Sequence, residues 1–142
     1  MKPDHRLPSN AGVTLLELLV VITILGLLTA AIGTVALNYL GGAKSDTTAL
    51  KVDGALAALD YFRLDVGRYP TQQEGLEALW SAPPGVEAWK GPYVQKAEAL
   101  VDAWDAPLKY RIPGESAPVE IYSFGADGVE GGEDDAADIT SW

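Results

Sequence analysis

Residues 13–37 form an apolar stretch that constrains the fold more than any other feature of this 142-residue chain. The stretch reads VTLLELLVVITILGLLTAAIGTVAL and carries a single charged residue, Glu17. A helix rises about 1.5 Å per residue and a bilayer core is about 30 Å thick, so about 20 apolar residues suffice to cross it. The sequence therefore predicts a membrane-spanning helix, longer than the apolar core of about 7 to 15 residues in a secretory signal peptide.

The residues around this stretch predict its orientation but leave Glu17 unexplained. Lys2 and Arg6 precede the apolar residues, and cations favour the cytoplasmic side of the membrane. We expect residues 1–12 to be cytoplasmic and residues 38–142 to lie on the opposite side of the membrane. A carboxylate in a spanning helix costs roughly 2.5 to 3.5 kcal/mol on insertion scales. Glu17 is therefore either hydrated near the interface or has a partner.

Composition excludes several classes of protein. A net charge of −10 with ten scattered cations argues against a nucleic-acid partner. The one histidine, His5, precedes the apolar stretch, and there is no cysteine, so the rest of the chain has no His or thiolate site and no disulfide. Because no nucleophile motif or phosphate-binding loop is present either, we expect no enzyme.

Helical spacing continues beyond the apolar stretch. Apolar residues recur every three or four positions as far as Val66, and Gly67 is a natural stop. We expect one long helix, or two separate helices as the simpler alternative. Thr71 and Glu74 have the spacing of a capping box, which predicts a short helix that ends by Pro83.

Two later segments predict a small antiparallel sheet. Residues 109–112 and 119–124 are rich in strand-forming residues and are bounded by Pro and Gly. We therefore expect an α+β domain in which the long helix packs on this sheet.

The segment 125–138 is acidic and glycine-rich. It contains six acidic residues, four glycines and no cation. A solvated tail is the simple interpretation. Calcium, however, takes 6 to 8 oxygen ligands, and glycines let a loop curl its carbonyls inward. Asp127 and Asp134 bracket such a loop, the spacing of an EF-hand is absent, and Ile139 and Trp142 suggest that the chain then returns to an apolar surface.

The N-terminal motif resembles the class III signal sequence of type IV pilins and pseudopilins. The resemblance rests on GVTLLE followed by LLVVITILG. It implies that prepilin peptidase cuts between Gly12 and Val13, and that the new amine of Val13 is methylated. Glu17 would become the fifth residue of the mature chain and an assembly residue that neutralises this amine within or between subunits. Val13 replaces the usual phenylalanine, and Thr34 stands where many relatives have proline.

Four further segments resemble the major pseudopilins of type II secretion systems. They are GRYPTQQEGLEALW, GPYV, DAWDAPLKY and FGADGVEGGEDDAADITSW. The third departs from the family's usual D-P-W-G-N-P-Y at Ala103, Asp105, Ala106 and Leu108, so we expect this turn to differ in shape. The resemblance implies a type IV pilin-like fold and calcium bound by the carboxylates of Asp127 and Asp134. The carbonyls of Phe124 and Val129 are further candidate ligands, Asp135 is an alternative carboxylate, and Asp138 is expected to hydrogen-bond the tail.

This resemblance also implies a function and a set of partners. The chain would form a homopolymer, a filament that drives export of folded proteins across the outer membrane. Its partners would be minor pseudopilins, the inner-membrane assembly platform, prepilin peptidase and the inner membrane itself. The expected organisation is a leader at 1–12, a membrane and filament-core helix at 13–37 and a periplasmic domain at 38–142. The alternatives are a type IV pilus or minor pseudopilin subunit, or a signal-anchored periplasmic calcium-binding domain.

Overall fold

The structure is a computed structural model that describes residues 13–142, except for the side chains of residues 34–38 and 135. The chain divides into two units, Met1–Leu37 and Asn38–Trp142. Gly12 and the leader, with the expectations that concern them, lie outside the described residues.

One helix, α1, runs from Leu15 to Val66 and has 52 residues. It begins where the Thr14 hydroxyl accepts a 3.2 Å hydrogen bond from the N–H of Glu17. It ends at Gly67, whose φ of 83° lets its N–H bond the Arg63 carbonyl at 2.8 Å. The predicted long helix is confirmed, and the alternative of two separate helices is wrong.

The first unit contains an apolar helical segment that no described residue covers. Leu15–Gly33 has 19 residues and a mean hydropathy of 2.6, and none of it is buried. At 1.5 Å per residue it is about 28 Å long, close to the thickness of a bilayer core. Soluble monomers rarely expose an apolar surface of this extent, so the segment needs a bilayer or other subunits around it.

The second unit is built on one face of α1. Val52, Leu59 and Phe62 are almost fully buried and, with Ala55 and Ala58, face the core. The opposing residues are Leu76, Ala78, Leu79, Val94, Leu108, Tyr110, Val119 and Ile121. Each large side chain buried here contributes about 1.5 to 3 kcal/mol, so this face of α1 anchors the unit.

Three antiparallel strands form the sheet in the order β1-β2-β3. They are β1 Lys109–Arg111, β2 Glu120–Ser123 and β3 Ile139–Thr140. Tyr110 pairs with Ile121, and Ser123 pairs with Ile139. The two predicted strands are confirmed, although both are shorter than expected. Sequence reasoning did not identify β3, but the predicted return of the chain to an apolar surface is confirmed, because Ile139 packs against the core.

The short helix predicted after Thr71 forms only in part. The capping-box bonds are present: Glu74 N–H donates to Thr71 Oγ1 at 3.2 Å, and Thr71 N–H donates to Glu74 Oε2 at 2.7 Å. They close a turn, however, because Gly75 at φ 58°, ψ −165° cannot continue a helix. Only a 3-10 helix at Leu76–Leu79 follows.

The same segment fastens itself to the edge of the sheet. Gln72 Nε2 donates to the Tyr110 carbonyl at 2.8 Å, and the N–H of Ile112 donates to Gln72 Oε1 at 3.0 Å. The Tyr110 hydroxyl donates to the carbonyl of Pro70 at 2.8 Å. One glutamine side chain thus satisfies backbone groups of β1 and of the residue that follows it, as a neighbouring strand would.

Candidate functional site

The N-terminal candidate site is the start of α1. Thr14 caps the helix, and Glu17 lies in its first turn, where the helix dipole favours a negative charge. Both side chains are exposed. Sequence reasoning assigned Glu17 to assembly alone and missed its place beside the cap. The signal was present, since Thr14 and Glu17 have the same spacing as Thr71 and Glu74.

Glu17 has no cationic side chain near it in sequence. Between Val13 and Ala43 the chain contains no lysine, arginine or histidine. An amine released at Val13 would therefore be the nearest cation along the chain, four residues before Glu17. This charge pattern suits a carboxylate whose partner is an N-terminal amine, its own or that of a neighbouring chain.

The second candidate site is the acidic loop between β2 and β3. Asp127 Oδ1 accepts the N–H of Val129 at 3.0 Å, which turns the chain back on itself. Gly132 has φ 94°, and a Cβ there would lie 2.3 Å from the Ala136 carbonyl oxygen. Only glycine fits this close approach. Asp134, in turn, adopts φ 53° at the start of the 3-10 helix Asp134–Ala136.

Asp138 ties the end of the loop to its middle. Its Oδ2 accepts the N–H of Gly131 at 3.0 Å, whereas its Oδ1 is buried and has no hydrogen-bond partner in the part of the chain that the structure describes. A buried carboxylate oxygen without a partner is costly unless a donor or a cation satisfies it. This orphan oxygen is the feature of the loop that most favours a bound cation.

The donor chemistry of the loop fits a hard cation, although the carboxylates do not form a ready-made cluster. Among the described residues no three acidic, His or Cys side chains come close enough to hold a metal together. The structure thus does not unite Asp127, Asp134 and Asp138 around one point. Calcium tolerates such a set because backbone carbonyls and water complete its shell. The structure does not describe the side chain of Asp135.

A buried polar network holds the start of the loop, and the sequence did not predict it. Asp102 Oδ1 accepts the N–H groups of Trp104 and Ala106, each at 2.9 Å. Ser123 Oγ donates to Asp102 Oδ2 and accepts the N–H of Gly125 at 3.2 Å. The turn at residues 102–106 is therefore hydrogen-bonded to the start of the acidic loop.

The chain is similar to proteins of bacterial type II secretion systems. The family model for protein G of the type II secretion system (T2SS) matches residues 36–142, and the prokaryotic N-terminal methylation motif matches residues 7–33. The type II secretion system core protein G of Pseudomonas aeruginosa is 40% identical over 137 residues, covering 94% of this chain and 95% of that protein. The core protein G of Vibrio cholerae is 36% identical, covering 96% and 94%.

A solved structure agrees with the sequence matches. The crystal structure of the major pseudopilin from the type 2 secretion system of enterohaemorrhagic Escherichia coli aligns with a TM-score of 0.60 at 31% identity. The alignment covers 71% of this chain and 88% of that one.

A long apolar N-terminal helix followed by a small antiparallel sheet defines a type IV pilin-like protein. The chain belongs to the type II secretion system protein G family. It is thus a structural component of a secretion system by its family, and its apolar helix and methylation motif fit an anchor in the inner membrane.

Proposed function

We propose that the chain is the structural subunit of the type II secretion pseudopilus, a helical filament that drives export of folded proteins across the outer membrane. The observation that carries this proposal is Leu15–Gly33, a helical segment that the described part of the chain leaves entirely unburied. The bilayer covers it before assembly, and the same segment of other subunits covers it afterwards. The homopolymer grows from the inner-membrane assembly platform, and minor pseudopilins are its partners.

Maturation comes before assembly in this proposal. Prepilin peptidase cuts between Gly12 and Val13 on the cytoplasmic face, the Val13 amine is methylated, and residues 38–142 lie in the periplasm. Support comes from the methylation motif over residues 7–33 and from Lys2 and Arg6 ahead of the helix. Mass spectrometry of the chain produced with the peptidase should give a methylated N-terminus at Val13. An intact Met1 would contradict the cleavage.

The role of Glu17 can be separated from its position beside the helix cap. We expect Glu17→Ala to be processed normally but to yield no filaments, because the terminal amine then lacks a partner in apolar surroundings. Thr14→Ala is the matched control, since it removes only the capping hydroxyl at 3.2 Å from the Glu17 N–H. Filaments sheared from cells and imaged by electron microscopy give the readout. Normal filaments from Glu17→Ala would refute the assembly role, and a wild-type chain that forms none would refute the filament itself.

We also propose that the acidic loop binds calcium. The carboxylates of Asp127 and Asp134, with the carbonyls of Phe124 and Val129, would hold the ion, and the buried Oδ1 of Asp138 supports a cation nearby. Bound calcium would neutralise part of an acidic segment that contains no cation of its own. It would thereby order the loop and the strand β3 that follows it.

Thermal unfolding with and without EGTA tests this site. A ligand present at about 100 times its Kd stabilises a protein by about 2.7 kcal/mol, so chelation should lower the melting temperature by several degrees. Asp127→Ala should melt at the same temperature with and without calcium. Glu130→Ala, an acidic residue of the same loop that is not a proposed ligand, should retain the response. An unchanged wild-type midpoint after EGTA would eliminate the site.

A further inference from the structure

The peptide group between Phe124 and Gly125 lies where β2 ends and the acidic loop begins. Its N–H donates to Ser123 Oγ at 3.2 Å, and both Gly125 and Ser123 are buried. The peptide bond is trans, and in a trans peptide group the N–H and the carbonyl point in opposite directions within one plane. The hydrogen bond that holds the Gly125 N–H therefore also fixes the direction of the Phe124 carbonyl.

The backbone alone would not hold this peptide group in one orientation. Gly125 adopts φ 64°, and glycine, which has no Cβ, reaches this conformation and many others at little cost. Phe124 lies beyond the last residue of β2, and among the described residues no N–H donates to its carbonyl. The bond from the Gly125 N–H to the Ser123 hydroxyl is thus the hydrogen bond that restrains the group.

The Ser123 hydroxyl is oriented as an acceptor because Asp102 takes its hydrogen. Ser123 Oγ donates to Asp102 Oδ2 at 2.6 Å, and both side chains are buried. A hydroxyl has one hydrogen and two lone pairs, so a hydrogen that points at the carboxylate leaves the lone pairs to face other donors. Asp102 accepts hydrogen bonds at both oxygens, as an ionised carboxylate does, and bonds to ionised acceptors are short and strong. Asp102 therefore keeps Ser123 in the orientation that the Gly125 N–H requires.

Asp102 is held in turn by the segment that follows it. Its Oδ1 accepts two N–H groups of the turn at residues 102–106, and its own N–H donates to the Ala106 carbonyl at 2.8 Å. Thr48 of α1 accepts the N–H of Ala103 at 3.1 Å. The turn that carries the carboxylate is thus anchored on the long helix.

The direction of the Phe124 carbonyl matters because carbonyl oxygens are calcium ligands. Calcium takes about 6 to 8 oxygens in proteins, at about 2.3 to 2.6 Å. A carbonyl whose direction is already fixed needs no ordering when the ion binds, whereas one on a freely rotating peptide group does. Residues that orient metal ligands without touching the metal typically change the affinity by about 10- to 100-fold when they are substituted.

We propose that Ser123 and Asp102 are positioning residues of the calcium site, which together aim the Phe124 carbonyl at the ion. The inference rests on the calcium binding proposed above and deepens it, because it assigns part of the affinity to a buried pair that supplies no ligand itself. It follows that the affinity of the acidic loop depends on the turn at residues 102–106, which contains none of the proposed ligands.

Two serines provide a matched test. Ser123→Ala and Ser141→Ala are the same change, and each removes a hydroxyl that accepts one backbone N–H, that of Gly125 in the first case and that of Ile121, at 3.0 Å, in the second. Isothermal titration calorimetry of the detergent-solubilised full-length chain should show a calcium Kd about 10- to 100-fold higher in Ser123→Ala, and a wild-type Kd in Ser141→Ala. A wild-type Kd in Ser123→Ala would overturn the positioning role alone. A wild-type chain that binds no calcium would overturn the calcium site and this inference with it.

Asp102→Asn tests the second positioning residue and serves if Ser123→Ala does not fold. Asparagine keeps one oxygen for the turn, but the NH2 group in place of the second oxygen cannot accept the Ser123 hydrogen. We expect the calcium Kd to rise by about tenfold while the tryptophan fluorescence remains that of the folded chain. Because the Kd is measured on folded protein well below its melting temperature, a loss of stability alone would leave it unchanged. A wild-type Kd would remove Asp102 from the proposal.

Nuclear magnetic resonance can observe the peptide group itself. The chain has two phenylalanines, and only Phe124 is followed by glycine. Labelling phenylalanine with ¹³C at the carbonyl and glycine with ¹⁵N therefore gives a single carbonyl-to-nitrogen cross-peak, from Phe124 and Gly125. Calcium near the wild-type Kd should shift the carbonyl frequency in the wild type and in Ser141→Ala, and far less in Ser123→Ala. A wild-type cross-peak that stays in place while calorimetry shows bound calcium would exclude the carbonyl as a ligand and overturn the inference.

Discussion

Ser123 and Asp102, 21 residues apart, share a 2.6 Å hydrogen bond in which both side chains are buried. The carboxylate also accepts two N–H groups of the turn at residues 102–106, and the hydroxyl accepts the first N–H of the acidic loop. Thr48 of α1 joins the same region by accepting the N–H of Ala103 at 3.1 Å. The helix, the turn and the loop therefore depend on one buried polar cluster.

Asp102→Ala should destabilise the second unit by about 3 kcal/mol, because two backbone N–H groups and one hydroxyl lose their buried acceptor. Asp102→Asn keeps one acceptor oxygen and should cost about 1 kcal/mol. Thermal unfolding in detergent, followed by tryptophan fluorescence, measures this unit alone, since all four tryptophans lie between residues 80 and 142. A loss as large for Asn as for Ala would mean that the charge, rather than the acceptor geometry, is what matters.

Glu74 should make stability depend on pH below 4.5. The hydrogen bonds from Arg68 lower the pKa of Glu74 from 4.5 to about 2, with a smaller contribution from Thr71, while burial opposes the shift. A carboxylate with a lowered pKa contributes stability above pH 4.5 and loses it as the pH falls toward 2. Because Arg68 is half-exposed, we expect about 1 to 2 kcal/mol for this contribution.

The control for this pH dependence is Glu74→Gln. At pH 7 it should be less stable than the wild type, and the two should converge by about pH 2. A constant difference between pH 7 and pH 2 would assign the effect of Glu74 to packing instead of ionisation.

Substitution of Glu120 should lower stability far more than substitution of Glu115, although Arg111 contacts both side chains. Glu120 is fully buried, and its Oε1 accepts the N–H groups of Glu115 and Ser116 at 2.8 and 2.6 Å. We expect Glu120→Ala to cost about 2 to 4 kcal/mol, since these two donors lose their acceptor and a cavity remains. Glu115→Ala, at an exposed side chain, should leave the melting temperature unchanged. Equal losses would contradict the role assigned to Glu120.

Asp105 lies in a left-handed conformation that favours glycine, with φ 66°. Aspartate tolerates this conformation better than most residues, so the strain at Asp105 is small. Asp105→Val should destabilise the second unit by about 1 to 2 kcal/mol, and Asp105→Gly should be neutral or gain up to about 1 kcal/mol. A fully tolerated valine, measured by thermal unfolding, would rule out the strain.

The elements that the sequence predicts well are those with a repeated local signal. The three-to-four spacing up to Val66 and the stop at Gly67 locate the end of α1. Alternating residues around Tyr110 and Ile121 locate β1 and β2. β3 has only two residues, which is too few for any alternation, so only its burial could be anticipated from Ile139.

The interactions that the sequence does not predict join residues far apart in the chain or depend on a single backbone angle. The Asp102–Ser123 bond spans 21 positions, and no local pattern marks it. The capping box at Thr71 leads to a turn because Gly75 adopts a positive φ. For the acidic loop, composition identified a candidate cation site, but the unpartnered oxygen of Asp138 becomes visible only once the loop is folded.

The aromatic residues on either side of the acidic loop provide a spectroscopic signal that reports on the loop. Tyr122 precedes the loop and Trp142 follows it, and their rings meet edge to face with centroids 6.0 Å apart. Rings this close couple their electronic transitions, so the pair contributes a near-ultraviolet circular dichroism band that depends on their mutual angle. A Trp142→Phe difference spectrum would isolate that band, and its amplitude would report, without any added dye, how fully the loop is closed.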